Sequence, residues 1–209
     1  MQKKIEAILF DLDGVLVDAT ELHYMALNKA LSIFGYEISR EEHELIYNGL
    51  PTIKKLEILN KTKGFPKSLN QFVNEIKQAY TLRMIEDYCN PDYEKILMLN
   101  RLKKEGYKLA VCSNAVRKSV ELMLQKTALI KYFDIILSNQ DVTKPKPDPE
   151  IYLKAFEVLK IKPENSIIIE DASHGIAAAK ASGAYVMEVS GYSDVNYDSI
   201  KNFIKKLEG

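Results

Sequence analysis

From about residue 93 onward the sequence alternates short apolar runs with amphipathic stretches, and no other feature limits the fold as strongly. Residues 107–112 (Y-K-L-A-V-C), 133–137, 166–169 and 184–189 read as strands, and residues 93–105, 117–126, 150–159 and 175–182 read as helices between them. Parallel neighbours in a sheet need a crossover, and a helix supplies it, so strands that are apolar throughout and alternate with helices predict a parallel sheet covered on both faces. An earlier apolar run, residues 4–10, supplies the first strand. The expected fold class is α/β, with a doubly wound parallel sheet.

Between residue 16 and about residue 82 the periodicity is different. The stretches A-L-N-K-A-L-S-I-F, E-E-H-E-L-I-Y, I-K-K-L-E-I-L and F-V-N-E-I-K-Q-A-Y space their apolar residues by three and four, with punctuation at Gly35, Gly49-Leu50-Pro51 and Gly64-Phe65-Pro66. That spacing draws an apolar stripe along one face of a helix, and Gly and Pro end the segments. The region reads as a helical subdomain inserted after the first strand. The expected organisation is a sheet domain of residues 1–15 and 88–209, with a helical cap of residues 16–87.

A chain of 209 residues with 46% apolar content can bury one good core and carry such an insertion. Lys and Arg number 29, as do Asp and Glu, so no global field recommends a nucleic acid or an acidic membrane as partner. Cys89 and Cys112 are too few for a metal cluster and lie in apolar surroundings, which suits buried free thiols in a reducing compartment. The opening M-Q-K-K-I-E and its strand-length apolar run fit neither a signal peptide nor a membrane span, so a cytoplasmic monomer is expected.

The first strand runs into A-I-L-F-D-L-D-G-V-L-V-D, residues 7–18. Side chains of an extended chain alternate, so Asp11 and Asp13 lean to one side and Leu12 to the other. Two carboxylates in one small site repel, and burial makes their joint ionisation costlier. A divalent cation with hard oxygen ligands relieves this, as does one retained proton. A site with both has a nucleophile in Asp11 and a general acid in Asp13. The bland alternative is a polar turn after a strand. A calcium loop needs Gly sixth and Glu twelfth; counted from Asp11, this chain has Gly14 fourth and Leu22 twelfth.

Other apolar runs also end in polar residues, Ser113 and Asn114 after one and Glu170 and Asp171 after another. In a doubly wound sheet these carboxyl ends face a common crevice. Phosphoryl transfer needs charge stabilisation around three equatorial oxygens. A magnesium ion on Asp11 and Asp171, with Glu170 as a further ligand candidate, would cover one side, and the Ser113 hydroxyl a second. An ammonium from the loop T-K-P-K-P-D-P, Lys146 or Lys144, would cover the third. Taken singly, these lysines read as solvated loop charges.

Together these residues resemble the haloacid dehalogenase superfamily of phosphatases, in the branch that includes β-phosphoglucomutase and small phosphosugar phosphatases. D-L-D-G-V-L-V-D at 11–18, V-C-S-N at 111–114, K-P-D-P-E-I-Y at 146–152 and I-I-I-E-D-A-S-H-G-I at 167–176 carry the resemblance, which spans essentially the whole chain. It implies a Rossmann-like core with a helical cap, and a role for each motif residue. Asp11 would be the nucleophile that forms an aspartyl-phosphate, and Asp13 the acid for the leaving group and then the base for water. Ser113 would bind phosphate with Asn114 beside it, and Lys146, in preference to Lys144, would be the motif lysine. Glu170 and Asp171 would hold Mg2+ together with Asp11 and the main-chain carbonyl of Asp13.

The resemblance also makes His23, Thr52 and Arg117 candidates for contact with substrate. His23 matches a cap histidine of the family, although a lone His on a helix also serves as a packing or surface residue. Ala172 stands where the last motif often has Ser, which removes a hydroxyl but no ligand. Thr52 and Val116 stand near positions where the mutase group has an arginine and a lysine, with Arg117, Lys54 and Lys55 as compensating cations. The implied activity is therefore magnesium-dependent hydrolysis of the phosphomonoester of a small metabolite, a phosphosugar or nucleotide-like compound. A phosphomutase is the second reading, and a catalytically silent binding protein on the same fold the third. Dehalogenation has no alcohol leaving group to protonate, yet Asp13 is present.

Overall fold

A computed structural model describes residues 4–209, which fall into two compact units: residues up to Asp18 with Asn90–Gly209, and Ala19–Cys89. The reading of the first three residues lies outside the described part. The first unit holds five strands, β1 (Ala7–Phe10), β2 (Lys108–Cys112), β3 (Ile135–Leu137), β4 (Ser166–Glu170) and β5 (Tyr185–Glu188). They pair in parallel in the order β3-β2-β1-β4-β5. β1 is central, and all four of its residues are buried, as an all-apolar strand between two covered faces requires.

Four strands, β1, β2, β3 and β5, are shorter than the apolar runs suggest, and at β3 the reason is local. Ahead of β3, the Asp134 carboxylate accepts the Leu109 N–H at 2.8 Å while the Asp134 N–H donates to the Leu109 carbonyl at 2.8 Å. A side chain thus takes the place of a ladder carbonyl, and regular pairing begins one residue later. The Glu6 main chain makes the first hydrogen bonds at the β1 start, donating to the Asn165 carbonyl at 2.8 Å and accepting from the Lys108 N–H at 3.0 Å.

In the Ala19–Cys89 unit, α1 (Thr20–Ser32), α2 (Arg40–Glu42, continuing into a π turn at His43–Tyr47), α3 (Thr52–Thr62) and α4 (Asn70–Tyr88) enclose their own core. Leu27, Leu31, Tyr47, Leu56, Leu59 and Val73 fill it. Each apolar side chain of that size stabilises by about 1.5–3 kcal/mol when fully buried. Ser39 and Glu42 form a reciprocal capping box at the start of α2, which satisfies donors the helix leaves unpaired. The unit begins and ends a few residues later than the sequence pattern indicates. Residues 12–17 make a closed turn first, with the Leu12 carbonyl accepting from Leu16 and Val17 at 2.9 Å each.

The remaining helices are α5 (Tyr93–Lys104), α6 (Arg117–Lys126), α7 (Glu150–Leu159), α8 (Ser173–Ala181) and α9 (Tyr197–Glu208). α5 is capped by Asp92, which accepts from Glu94 and Lys95, and the chain leaves it through Gly106 at φ +91°, a conformation that favours glycine. Ile151, Tyr152, Ala155 and Phe156 of α7 pack with Ala178 and Ala179 of α8 and with Leu9, Ala110 and Ile168 of the sheet. α9 was not among the sequence expectations. Asn196 and Ser199 cap it reciprocally, Ile200 and Ile204 are buried, and Glu208 accepts the Ile5 N–H at 3.0 Å. No helix among the described residues is long and apolar enough to cross a membrane.

Candidate active site

The register of the sheet assembles the site. Phe10 is opposite Val111 on one side and Ile169 on the other, so the next residues, Asp11, Cys112 and Glu170, arrive at one level. The Asp11 N–H donates to the Ile169 carbonyl at 3.1 Å and extends the β1–β4 pairing to the carboxylate itself. Asp11, Glu170 and Asp171 each offer an oxygen within 4.8 Å of the others, a geometry that could hold a metal ion.

Lys146 reaches this level from the proline-rich loop after β3, and its side chain is 3% exposed. Its ammonium donates to Asp11 Oδ1 at 2.7 Å, to Glu170 Oε1 at 2.5 Å and to the Cys112 carbonyl at 2.7 Å, which uses all three of its hydrogens. Lys144, by contrast, is exposed, and its ammonium lies 4.0 Å from Asp148. The Asn114 amide grips the main chain of Lys146 from both sides, accepting from its N–H at 3.0 Å and donating to its carbonyl at 3.2 Å. Ser113 is fully buried, and its hydroxyl accepts the Ala115 N–H at 3.0 Å, leaving its own hydrogen to donate.

One ammonium cannot neutralise three carboxylates, and the excess negative charge shows in their proton affinities. Burial pushes Glu170 up to about 8, with Lys146 opposing and Asp11 reinforcing the rise. Burial, followed by the Asp11 charge, pushes Asp171 up to about 6. Asp11 is raised by burial against the pull of Lys146. Burial disfavours the Lys146 charge as well, but Asp11 and Glu170 outweigh it and hold the ammonium above the usual lysine range. The Cys112 thiol is pushed up to about 12 by burial, which makes it a poor nucleophile.

Asp171 Oδ1 is buried without a hydrogen-bond partner. An unpaired buried carboxylate oxygen is costly, and a cation answers it. Two glycines make room for these acids. A Cβ on Gly14, which sits at φ +81°, would lie 2.1 Å from Asp171 Oδ2, and one on Gly175 would lie 2.1 Å from Glu170 Oε2. With hard oxygen donors, surplus negative charge and an orphaned oxygen, the residues present fit a divalent metal such as magnesium.

Of the sequence candidates, Asp11, Lys146, Glu170 and Asp171 meet in one cluster. Asp13 lies in the turn that follows, where the Gly14 N–H donates to the Val17 carbonyl at 2.8 Å. Arg117 is committed elsewhere, to Asp141 at 2.5 Å and Glu121 at 3.1 Å, so it braces the loop after β3. His23 and Thr52 belong to the helical unit. There His23 Nδ1 is 3.2 Å from the Lys77 ammonium, and Thr52 opens α3 with 8% exposure. Sequence reasoning missed Tyr152, whose hydroxyl donates to Glu170 Oε1. Tyr152 closes K-P-D-P-E-I-Y, the motif that carries Lys146, so the sequence held a signal for it.

Residues 8–189 match the model of the haloacid dehalogenase-like hydrolase family. The chain belongs to that family. It is 32% identical to a phosphorylated carbohydrates phosphatase from Thermotoga maritima over 182 residues, covering 86% of this chain and 82% of that one. It is 30% identical to the pyrophosphatase PpaX of Bacillus mycoides over 190 residues, covering 90% of this chain and 84% of the relative. Among solved structures, β-phosphoglucomutase from Clostridium difficile superposes with a TM-score of 0.81 at 26% identity, covering 97% of this chain and 98% of that one. The family member described here is accordingly an enzyme of the phosphatase kind, built on a Rossmann-like parallel sheet.

Proposed function

We propose that this family member is a magnesium-dependent phosphatase that hydrolyses the phosphomonoester of a small metabolite through an aspartyl-phosphate on Asp11. The observation that carries the reading is the Lys146 ammonium set between Asp11 at 2.7 Å and Glu170 at 2.5 Å, beside an Asp171 oxygen with no partner. A cluster of three carboxylates around one lysine is costly to bury, and it is what a transferring phosphoryl group with its counter-cation needs. The similarity to a phosphorylated carbohydrates phosphatase favours a phosphosugar as substrate.

In this reading the Asp11 carboxylate attacks phosphorus as the bond to the leaving oxygen breaks, and Asp13 gives its proton to that oxygen. Asp13 then takes a proton from the water that cleaves the aspartyl-phosphate, which returns both acids to their starting states. Magnesium, when held by Asp11, Glu170 and Asp171, supplies positive charge against the phosphoryl oxygens. Lys146 is drawn to an incoming phosphoryl oxygen, and Ser113 donates its free hydrogen to another. Asn114 fixes the Lys146 main chain, so little side-chain entropy is lost when the ammonium engages.

A phosphomutase is the second reading, favoured by the likeness to β-phosphoglucomutase and by a basic group within the helical unit. Lys55 and Lys77 there are 5% exposed, and after burial itself the Lys55, His23 and Lys77 charges hold His43 down to about 4. Phosphate release from a generic aryl phosphate separates the readings and tests the first. The parent enzyme is expected to turn it over with Mg2+ and lose that turnover with Asp11→Asn. An Asp11→Asn variant with near-normal rate refutes the nucleophile assignment, and isomerisation of phosphosugars without phosphate release selects the mutase.

A further inference from the structure

The Tyr152 hydroxyl lies outside the set of groups that touch the phosphoryl centre in the scheme above, yet it is fully buried against it. Tyr152 sits in the first turn of α7, its ring packed among Ile151, Ala155 and Phe156 on one face of the sheet. Its hydroxyl donates to Glu170 Oε1, the same oxygen that accepts from Lys146 at 2.5 Å. The Lys146 ammonium also lies 5.1 Å from the centre of the Tyr152 ring, so ring and hydroxyl hold different partners. On the other side the Glu170 carboxylate lies against Gly175, where a Cβ would come within 2.1–2.3 Å of all three of its carboxyl atoms.

We infer that Tyr152 is a positioning residue for the metal site: its hydroxyl, with Lys146, occupies Glu170 Oε1 and fixes the carboxylate so that Oε2 alone is offered to the cation. Three contacts then determine the rotation of one carboxylate, two donors at Oε1 and the bare Cα of Gly175 across its face. A carboxylate free to turn can chelate with both oxygens or swing toward Lys146, and either movement lengthens its bond to a small octahedral ion that tolerates little distortion. Phenylalanine in this position would keep the packing and the cation–π contact and lose only this constraint. The hydroxyl therefore acts on the metal through Glu170, without touching substrate.

This inference rests on the magnesium reading of the site, and the experiment separates the two. Mg2+ alone is titrated calorimetrically into the parent chain and into Tyr152→Phe, and phosphate release is followed against Mg2+ concentration. Groups that orient metal ligands are typically worth about 10–100-fold in metal affinity, so Tyr152→Phe is expected to weaken Mg2+ binding by about that factor. Its kcat should return close to the parent value at saturating Mg2+, with KM for substrate unchanged, a pattern that general loosening of the core would not give. Equal Mg2+ affinity in parent and variant overturns the positioning role and leaves the magnesium reading standing, whereas a parent that binds no Mg2+ overturns both. If Tyr152→Phe fails to fold, the parent decides the matter: the buried hydroxyl hydrogen should give a slowly exchanging proton resonance that persists when Mg2+ is added. Its loss to rapid exchange on Mg2+ binding would show that the hydroxyl releases Glu170, and would refute the proposal.

Discussion

Lys146→Met is the perturbation that most directly probes how the buried charges are balanced. Methionine is similar in length and apolar, so the variant removes three donated hydrogen bonds without leaving a large cavity. What remains is Asp11 and Glu170 with no cation between them, both nearly excluded from water, with side-chain exposures of 12% and 1%. Breaking a buried ion pair on one side costs about 3–5 kcal/mol. The two acids limit that cost by taking up protons, which they do more readily than ordinary carboxylates even with Lys146 present. Their folded-state proton affinities rise further in the variant, so its deficit must grow as pH increases and shrink in mild acid. Urea unfolding in EDTA at pH 6 and pH 8.5 measures this. The expected loss is about 3–5 kcal/mol at the higher pH, which at this chain length is a fall in Tm of about 6–20 °C. A loss below about 1 kcal/mol at pH 8.5, or one that does not change with pH, would refute the electrostatic reasoning.

Other perturbations test single contacts. Asp171→Asn should raise the stability of the metal-free protein at pH 7 by about 1–2 kcal/mol, a figure reduced for partial solvent screening, because it removes a carboxylate whose charge the site disfavours. The sign follows from linkage: a carboxylate raised to about 6 contributes stability at low pH that is lost as pH rises from about 3.8 through 6, so the variant's advantage should vanish below pH 4 in urea titrations. Gly175→Ala should displace the Glu170 carboxylate from Lys146 and Tyr152 and cost about 2–4 kcal/mol with loss of Mg2+ binding, and a variant that keeps parental stability and affinity would show that the acid has room to move. His43, held neutral down to about 4, contributes stability that is complete above about 6.5 and is lost as pH falls toward 4. His43→Phe should therefore flatten the fall in unfolding free energy, measured with urea, between pH 6.5 and 4 by about 1–2 kcal/mol after discounting for screening, and an unchanged profile would exclude the histidine as its source.

The parallel sheet was legible because its strands are apolar on both faces, and 109–112 and 166–169 needed no tertiary information to be found. The start of the third strand was not legible, because a ladder in which the Asp134 carboxylate replaces a carbonyl leaves no mark on hydropathy. The helix at Tyr197–Glu208 was missed for a related reason: its start signals, Asn196 and Ser199, are ordinary polar residues until their reciprocal hydrogen bonds are seen. At the site, Asp11, Glu170 and Asp171 could be grouped from the sequence because strand ends converge by topology. The choice between Lys146 and Lys144 could not be made from the residues alone, since it depends on where the loop turns and on the grip of Asn114 on the main chain. Tyr152 lies on a helix, and a helix position does not tell which strand end its hydroxyl will meet.

The most direct test of a single cation ringed by these acids uses a phosphoryl mimic. Beryllium fluoride added with Mg2+ should raise the Tm of the parent enzyme well beyond either component alone, because the mimic engages Asp11, Lys146, Ser113 and the metal together. Asp11→Asn should abolish the rise. A parent enzyme whose Tm does not respond, or an Asp11→Asn variant that responds as strongly, would contradict phosphoryl transfer at Asp11.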